Sequence, residues 1–398
     1  MRILLTCVLF IASLSLQAQS IVEQKGSPAL QRVAAQWRQT TGSQAAENSQ
    51  KMLFTLVVAD FDGFTQWAQS NGWPPFLAGY APAGVIVVED QPGHFFASVL
   101  PRTEVLFADL GYRAGREELA VPGHNFFTNN IAWTHTRWPA LDGTGSTISI
   151  KEFQFDSLDV DFKHRYLPNS GSASTSTIHA SIMATLAAGA GTSDPAGRGV
   201  ARGSRLVSSS FVGLLPDDDA EYDAFDIAVQ NHSYGVDIEN YYGAGALAYD
   251  RSTQLHSGLL HVFSAGNQGL AAAGPGAYAN LTGFANLTGN FKMAKNVLVV
   301  GAVDSFGQVL AFSSRGPAYD GRLKPDLVAF GQSGTSESAA LVSGSAAVVR
   351  QAFFEKYGFW PSSATVRAVL IGTADDLGAP GPDFSAGYGN LNLKNAVE

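Results

Sequence analysis

From Thr147 onward the chain alternates short apolar runs with stretches long enough to form helices. The runs are Thr147 to Ile150, Leu206 to Ser209, Val229 to His232, Leu259 to Phe263 and Val297 to Ala302. Strands covered by helices on both faces read as near-continuous apolar runs, and the crossover between parallel strands needs about a dozen residues or more. The pattern therefore predicts an α/β fold, a parallel β-sheet with helices on both faces. In such a sheet, ligand-binding groups gather beyond the carboxyl ends of the strands.

Residues with chemistry recur at those places. Gly334 to Gly344 reads GTSESAALVSG, a serine behind Gly-Thr at the head of a nearly all-apolar helical stretch, Ser338 to Glu355. A serine there can turn its hydroxyl to a cleft while its backbone N–H joins the unpaired donors of the helix N-terminus, where a developing oxyanion is well held. Ser336 is the candidate nucleophile, although the segment alone also reads as a capped helix with a small-residue packing face. TIHASIMATLAAGAG places His179 at the start of an Ala-rich helix ending at Gly189 or Gly191. One ring nitrogen can then face a serine and the other a carboxylate. In LLHVFSAGNQG a strand runs into Gly266-Asn267, and Asn267 can give a side-chain N–H to an oxyanion. In GTGSTISIKEFQFDSLDVDF, Thr147 to Lys151 alternates like a strand with Glu152 at its carboxyl end.

Acid, His, Asn and Ser in this order resemble the subtilisin-like serine peptidases, the subtilases. The resemblance runs from about Asn130 to the C-terminus and includes GVARGSRLVSS, VQNHSYG, KNVLVVGAVD, AFSSRGPAYDGRLKPDLVAFG and SAGYGNLNLKNAVE. It implies a serine endopeptidase with protein or peptide substrates and a Ser336-His179-Glu152 triad. Asn267 and the Ser336 backbone N–H would be the oxyanion donors. Ser233-Tyr234-Gly235 and Ser264-Ala265-Gly266 would form the two walls of a fairly open, apolar specificity pocket. No cofactor is implied; calcium sites are common in relatives, but none can be placed here, and Asp217-Asp218-Asp219 reads as a solvated loop. The chain departs from the family at four points. Glu152 stands where relatives have aspartate, Ala180-Ser181-Ile182 follows the histidine in place of Gly-Thr-His, only Gly331-Gln332-Ser333 joins PDLVAF to GTS, and Ala340 replaces a usual proline. Glu152 aligns without a gap and is preferred as the orienting acid, with Asp156 the competing candidate and Asp159 and Asp161 behind it.

The N-terminus, MRILLTCVLFIASLSLQAQS, has one positive charge, an apolar stretch from Ile3 to Leu16 and small residues at Ala18 and Ser20. That is a signal-peptide pattern, predicting cleavage near Ala18 or Ser20 and a secreted, periplasmic or cell-surface protein. The only cysteine, Cys7, lies inside it, so the exported chain has no thiol for a disulfide or for catalysis. Net charge is −9, with no basic cluster, which argues against nucleic acid or an anionic membrane surface as partner. The expected organisation is a signal peptide over residues 1–19, a small α+β domain over 20–125 and a peptidase domain over 126–398. In the small domain, Leu53 to Ala59 and Gly84 to Glu89 read as strands, Gly63 to Ser70 as a helix, and Phe95 to Leu100 and Glu104 to Ala108 as extended pieces. Its position resembles the subtilase propeptide, an intramolecular inhibitor of a zymogen, here cut somewhere from Arg113 to Asn129; a permanent accessory domain is the other reading.

Two rivals stand beside the peptidase. A catalytically silent subtilase-like binding domain would be expected to lose Ser, His or Asn first, yet all three are present. A serine esterase with a nucleophile elbow needs glycine two residues past the serine, where this chain has Ser338.

Overall fold

The computed structural model describes residues 21–40, 50–73, 76–111, 116–117 and 125–398. Residues 1–19, expected to be a signal peptide, lie outside them. The chain divides into two compact units, Met1–Arg113 with Gly243–Ala248, and Ala114–Tyr242 with Tyr249–Glu398.

In the first unit, β1 (Met52–Val58), β2 (Ala78–Tyr80), β3 (Val85–Asp90) and β4 (Val105–Leu110) form an antiparallel sheet in the order β2-β3-β1-β4. Phe54, Leu56 and Val58 alternate along β1 toward a core shared with Ile86, Val88, Phe64 and Phe95. Helix α1 (Pro28–Thr40) and helix α2 (Phe61–Ser70) belong to the same unit, and Asp60 caps α2 by accepting from Gly63 N. Phe95 to Leu100, expected to be extended, is helical instead. Pro92 opens the turn, its fixed φ and missing N–H costing nothing there, and Phe95, Phe96 and Val99 then fall on the buried face.

The second unit holds a short ribbon and a large sheet. In the ribbon, β5 (Arg116–Glu117) pairs antiparallel with β9 (Tyr234–Gly235). The sheet's strands are β6 (Thr147–Glu152), β7 (Arg205–Ser210), β8 (Ile227–His232), β10 (Leu260–Ser264), β11 (Leu298–Val303) and β12 (Leu327–Phe330). They are parallel and stand in the order β12-β11-β10-β8-β6-β7. All of the expected apolar runs are here. From β6 the chain steps out to β7, then returns to place β8 on the other side of β6. The direction of winding reverses there, and a crevice opens between the carboxyl ends of β6 and β8.

Two helices fix the site's position. Helix α3 (Ile178–Ala188) and helix α4 (Thr335–Tyr357) pack against each other, and α4 is buried from Thr335 through Gln351. Close approach requires Gly344, where an added Cβ would lie 2.5 Å from Ala187 O and 2.7 Å from Val200 Cβ. Ser338 Oγ donates to Ala329 O at 3.0 Å and Ser343 Oγ to Asn231 Oδ1 at 3.0 Å, tying α4 to β12 and β8. No described helix is long and apolar enough to cross a membrane.

Candidate active site

Glu152 is the last residue of β6, opposite Ser210 of β7, and is fully buried. Just past it, Gln154 N donates to Thr175 O at 2.9 Å and Thr177 N to Gln154 O at 3.0 Å. These bonds hold the start of α3 beside the strand end. Thr177 then caps the helix, its Oγ1 accepting from Ala180 N at 3.2 Å. His179 is thereby fixed in the first turn, 5% exposed, with Nδ1 2.5 Å from Glu152 Oε2. The longer glutamate side chain reaches the imidazole. Asp156, by contrast, is exposed, and its Oδ1 accepts from Leu158 N at 3.1 Å within its own turn. Asp161 binds Thr192 N and Ser193 N, also away from the imidazole.

Ser336 is the second residue of α4, following Thr335, and is buried. Its Oγ donates to Ser233 O at 3.3 Å, and its carbonyl accepts from Ser233 Oγ at 3.1 Å. The nucleophile candidate is thus locked to the segment leaving β8, at the crevice. His179 and Ser336 each stand in the first turn of a helix that begins beyond the strands' carboxyl ends.

Asn267 lies three residues past β10. Its Oδ1 accepts from Thr335 N at 3.0 Å and Thr335 Oγ1 at 3.1 Å. Both contacts are donors, so they assign the carboxamide oxygen to Thr335 and leave the NH₂ as the outward group. The Thr335 hydroxyl also accepts from Gly266 N at 3.0 Å. Gly266 has φ of 115°, and a Cβ there would lie 2.3 Å from Thr288 Oγ1, so only glycine fits this wall.

Of the other wall, Ser233 and Tyr234 are fully buried. The Tyr234 ring does not border an open slot. It packs on Phe211 with centroids 5.2 Å apart, and its hydroxyl meets His232 Nδ1 at 3.0 Å and Tyr249 at 3.2 Å. Burial holds His261 down to about 3 and His232 well below its ordinary range, so this layer under the wall is uncharged at neutral pH.

Asp217 is likewise not a solvated loop residue. It accepts from Lys151 Nζ, from Ser209 Oγ at 2.6 Å and from Gln230 Nε2 at 2.6 Å, neutralising a lysine that would otherwise be buried alone inside β6. Sequence reasoning also passes over Thr335 and Glu337. Glu337 follows the serine, is 3% exposed, and neither carboxyl oxygen reaches a partner at hydrogen-bonding geometry. Burial pushes its carboxyl up to about 8, against the pull of the Ser333 and Gln332 backbone amides. A signal exists: Glu337 is the only charged residue in GTSESAALVSG. Among the described residues no group of three or more His, Cys, Asp or Glu is placed to hold a metal ion.

The sequence profile of the subtilase family matches residues 122–389. The chain belongs to the subtilase family. The serine protease/ABC transporter B family protein tagA of Dictyostelium discoideum is 30% identical over 128 residues, 22% of this chain and 7% of that protein. Among solved structures, fervidolysin from Fervidobacterium pennivorans, a keratinolytic enzyme related to subtilisin, has a TM-score of 0.59 at 17% identity. That match covers 88% of this subtilase and 61% of fervidolysin. The epidermin leader peptide processing serine protease EpiP from Staphylococcus aureus has a TM-score of 0.62 at 14% identity, covering 88% of this chain and 98% of EpiP. At these identities the likeness is one of fold.

Proposed function

We propose that this subtilase is an exported serine endopeptidase in which Ser336 attacks the peptide carbonyl, His179 moves the proton and Glu152 holds the imidazole. His179 takes the Ser336 proton as the acyl bond forms and returns it to the leaving amine. The Asn267 NH₂ and the Ser336 backbone N–H hold the oxyanion. The observation that carries this reading is the 2.5 Å contact of His179 Nδ1 with Glu152 Oε2, which presents the opposite ring nitrogen for proton transfer and supplies the carboxylate that stabilises the imidazolium. Protein or peptide chains are the substrates.

The residues ahead of the peptidase region act as an intramolecular inhibitor until cut. Support comes from β5, in which Arg116 and Glu117 pair antiparallel with Gly235 and Tyr234, the edge on which an extended peptide would add as a strand. A fluorophosphonate probe tests the nucleophile: it should label the wild-type chain and not Ser336→Ala. Casein against a short-chain ester then separates peptidase from esterase, and absence of labelling would favour a silent binding domain.

A further inference from the structure

The amino ends of the strands carry a cavity of their own. Its volume is about 340 Å³, and it opens beside Ile227 and Ala228, the first residues of β8, and beside Gly258 and Leu259, which lead into β10. The catalytic crevice lies at the other end of the same strands, and the six residues of β8 put roughly 20 Å between the two.

Arg350 of α4 reaches this cavity from the core and is only 5% exposed. Its Nη1 donates to Gly258 O at 3.0 Å and to Pro361 O at 3.3 Å, and the guanidinium lies 5.2 Å from the Trp360 ring centroid. Nε is buried and meets no acceptor. Carbonyls and a ring take up some of the donors but supply no counter-charge. Among the described residues no carboxylate pairs with this guanidinium. Asp226 acts on it only through space, and the Asp226 carboxylate itself stands 3.7 Å from Arg205. A cation taken out of water costs free energy unless an anion accompanies it. A guanidinium in that position calls for a carboxylate or a phosphate, the groups its fork matches.

The mouth of the cavity decides between them. Asp223 and Asp226 line it with side chains 78% and 79% exposed. His256, also in the lining, bonds Asp219 Oδ1 at 2.9 Å and stands 3.5 Å from Asp223 Oδ1. A multiply charged phosphate meets these carboxylates as like charge on its way to Arg350. A carboxylate joined to an ammonium is matched at both ends.

We propose that this cavity binds a small zwitterion, its carboxylate on Arg350 and its ammonium at Asp223 and Asp226. A free amino acid and the last residue of a peptide ending in a basic side chain offer the same pair of charges. The site stands whether or not Ser336 cuts peptides.

Equilibrium dialysis against the full chain carrying Ser336→Ala, in which the candidate nucleophile is removed, tests this with L-lysine, L-lysinamide, the tripeptide Ala-Ala-Lys and inorganic phosphate as probes. L-Lysine should bind saturably, and L-lysinamide, which lacks the carboxylate, about 10- to 100-fold more weakly. Arg350→Met should weaken L-lysine binding by a similar factor, and so should Asp223→Asn combined with Asp226→Asn. The two exposed aspartates carry the test if Arg350→Met does not fold, since asparagine also tolerates the left-handed backbone of Asp226, φ 49°. Ala-Ala-Lys binding at least as tightly as L-lysine identifies a peptide terminus as the ligand; the reverse order identifies a free amino acid. No saturable binding of either, or binding that all of these variants leave unchanged, overturns the site. Phosphate binding tighter than L-lysine, and strengthened by the aspartate substitutions, overturns the zwitterion in favour of a plain anion.

Discussion

Glu337→Gln should flatten the pH dependence of this protein's stability above about pH 5. The carboxyl rises from an ordinary 4.5 to about 8 on folding, because burial disfavours its ionised form and the Ser333 and Gln332 amides only partly offset that. A folded value above the unfolded one means that the unfolded chain gives up the proton first. The stability this group contributes is therefore complete below about pH 4.5 and is lost as pH rises toward 8. At roughly 1.4 kcal/mol for each tenfold change in proton affinity, the total loss is on the order of 5 kcal/mol, about 3 of it gone by pH 7. Glutamine keeps the shape and cannot ionise. Urea unfolding in the Ser336→Ala background, which prevents autolysis, should give similar stabilities at pH 5 whether or not Glu337→Gln is also present. At pH 8.5 the chain carrying Glu337→Gln should be more stable by several kcal/mol. In the active enzyme, ionisation beside Ser336 puts negative charge next to the developing oxyanion, so turnover should decline near pH 8 in the wild type and persist in Glu337→Gln. Parallel stability curves from pH 5 to 8.5 would refute the reasoning, since they would mean that the carboxyl is solvated.

Asn267→Ala should lower kcat by about 10²–10³, the magnitude known for removal of a single oxyanion donor in a subtilisin, with little change in KM; a change confined to KM would assign Asn267 to ground-state binding. Glu152→Gln should cut kcat by on the order of 10⁴ with the fold preserved, while Asp156→Asn stays near wild type; the reverse pattern in peptide kinetics would move the orienting acid to Asp156. In a protease-deficient host the mature chain should begin within Arg113 to Asn129, read by N-terminal sequencing, and Ser336→Ala should remain uncut. Normal processing of Ser336→Ala would end the self-cleavage reading.

What the sequence discloses here is what local pattern and chain order encode. The parallel sheet is legible because each strand is a short apolar run between helix-length stretches, and Ser336, His179 and Asn267 because each stands at a helix start or just past a strand end. Glu152 is legible as the final residue of an alternating strand, while the turn that engages its rival Asp156 is visible only in the structure. Phe95 to Leu100 reads as extended because its aromatic and β-branched side chains favour strands, until Pro92 is recognised as a helix opener. Tyr234 and Asp217 mislead for a different reason. Whether a tyrosine lines a pocket or fills a core, and whether an aspartate is solvated or neutralises Lys151, depends on contacts that cross strands.

Lys292 is the sharpest case of that limit. In GNFKMAKN it reads as one of two ordinary lysines, and nothing local separates it from Lys295. Only folding puts Thr288 between Ala265 and Val236, and only then does a lysine four residues on donate to its hydroxyl. The same holds for Glu337, a charge visible in the sequence whose unusual proton affinity comes wholly from its burial.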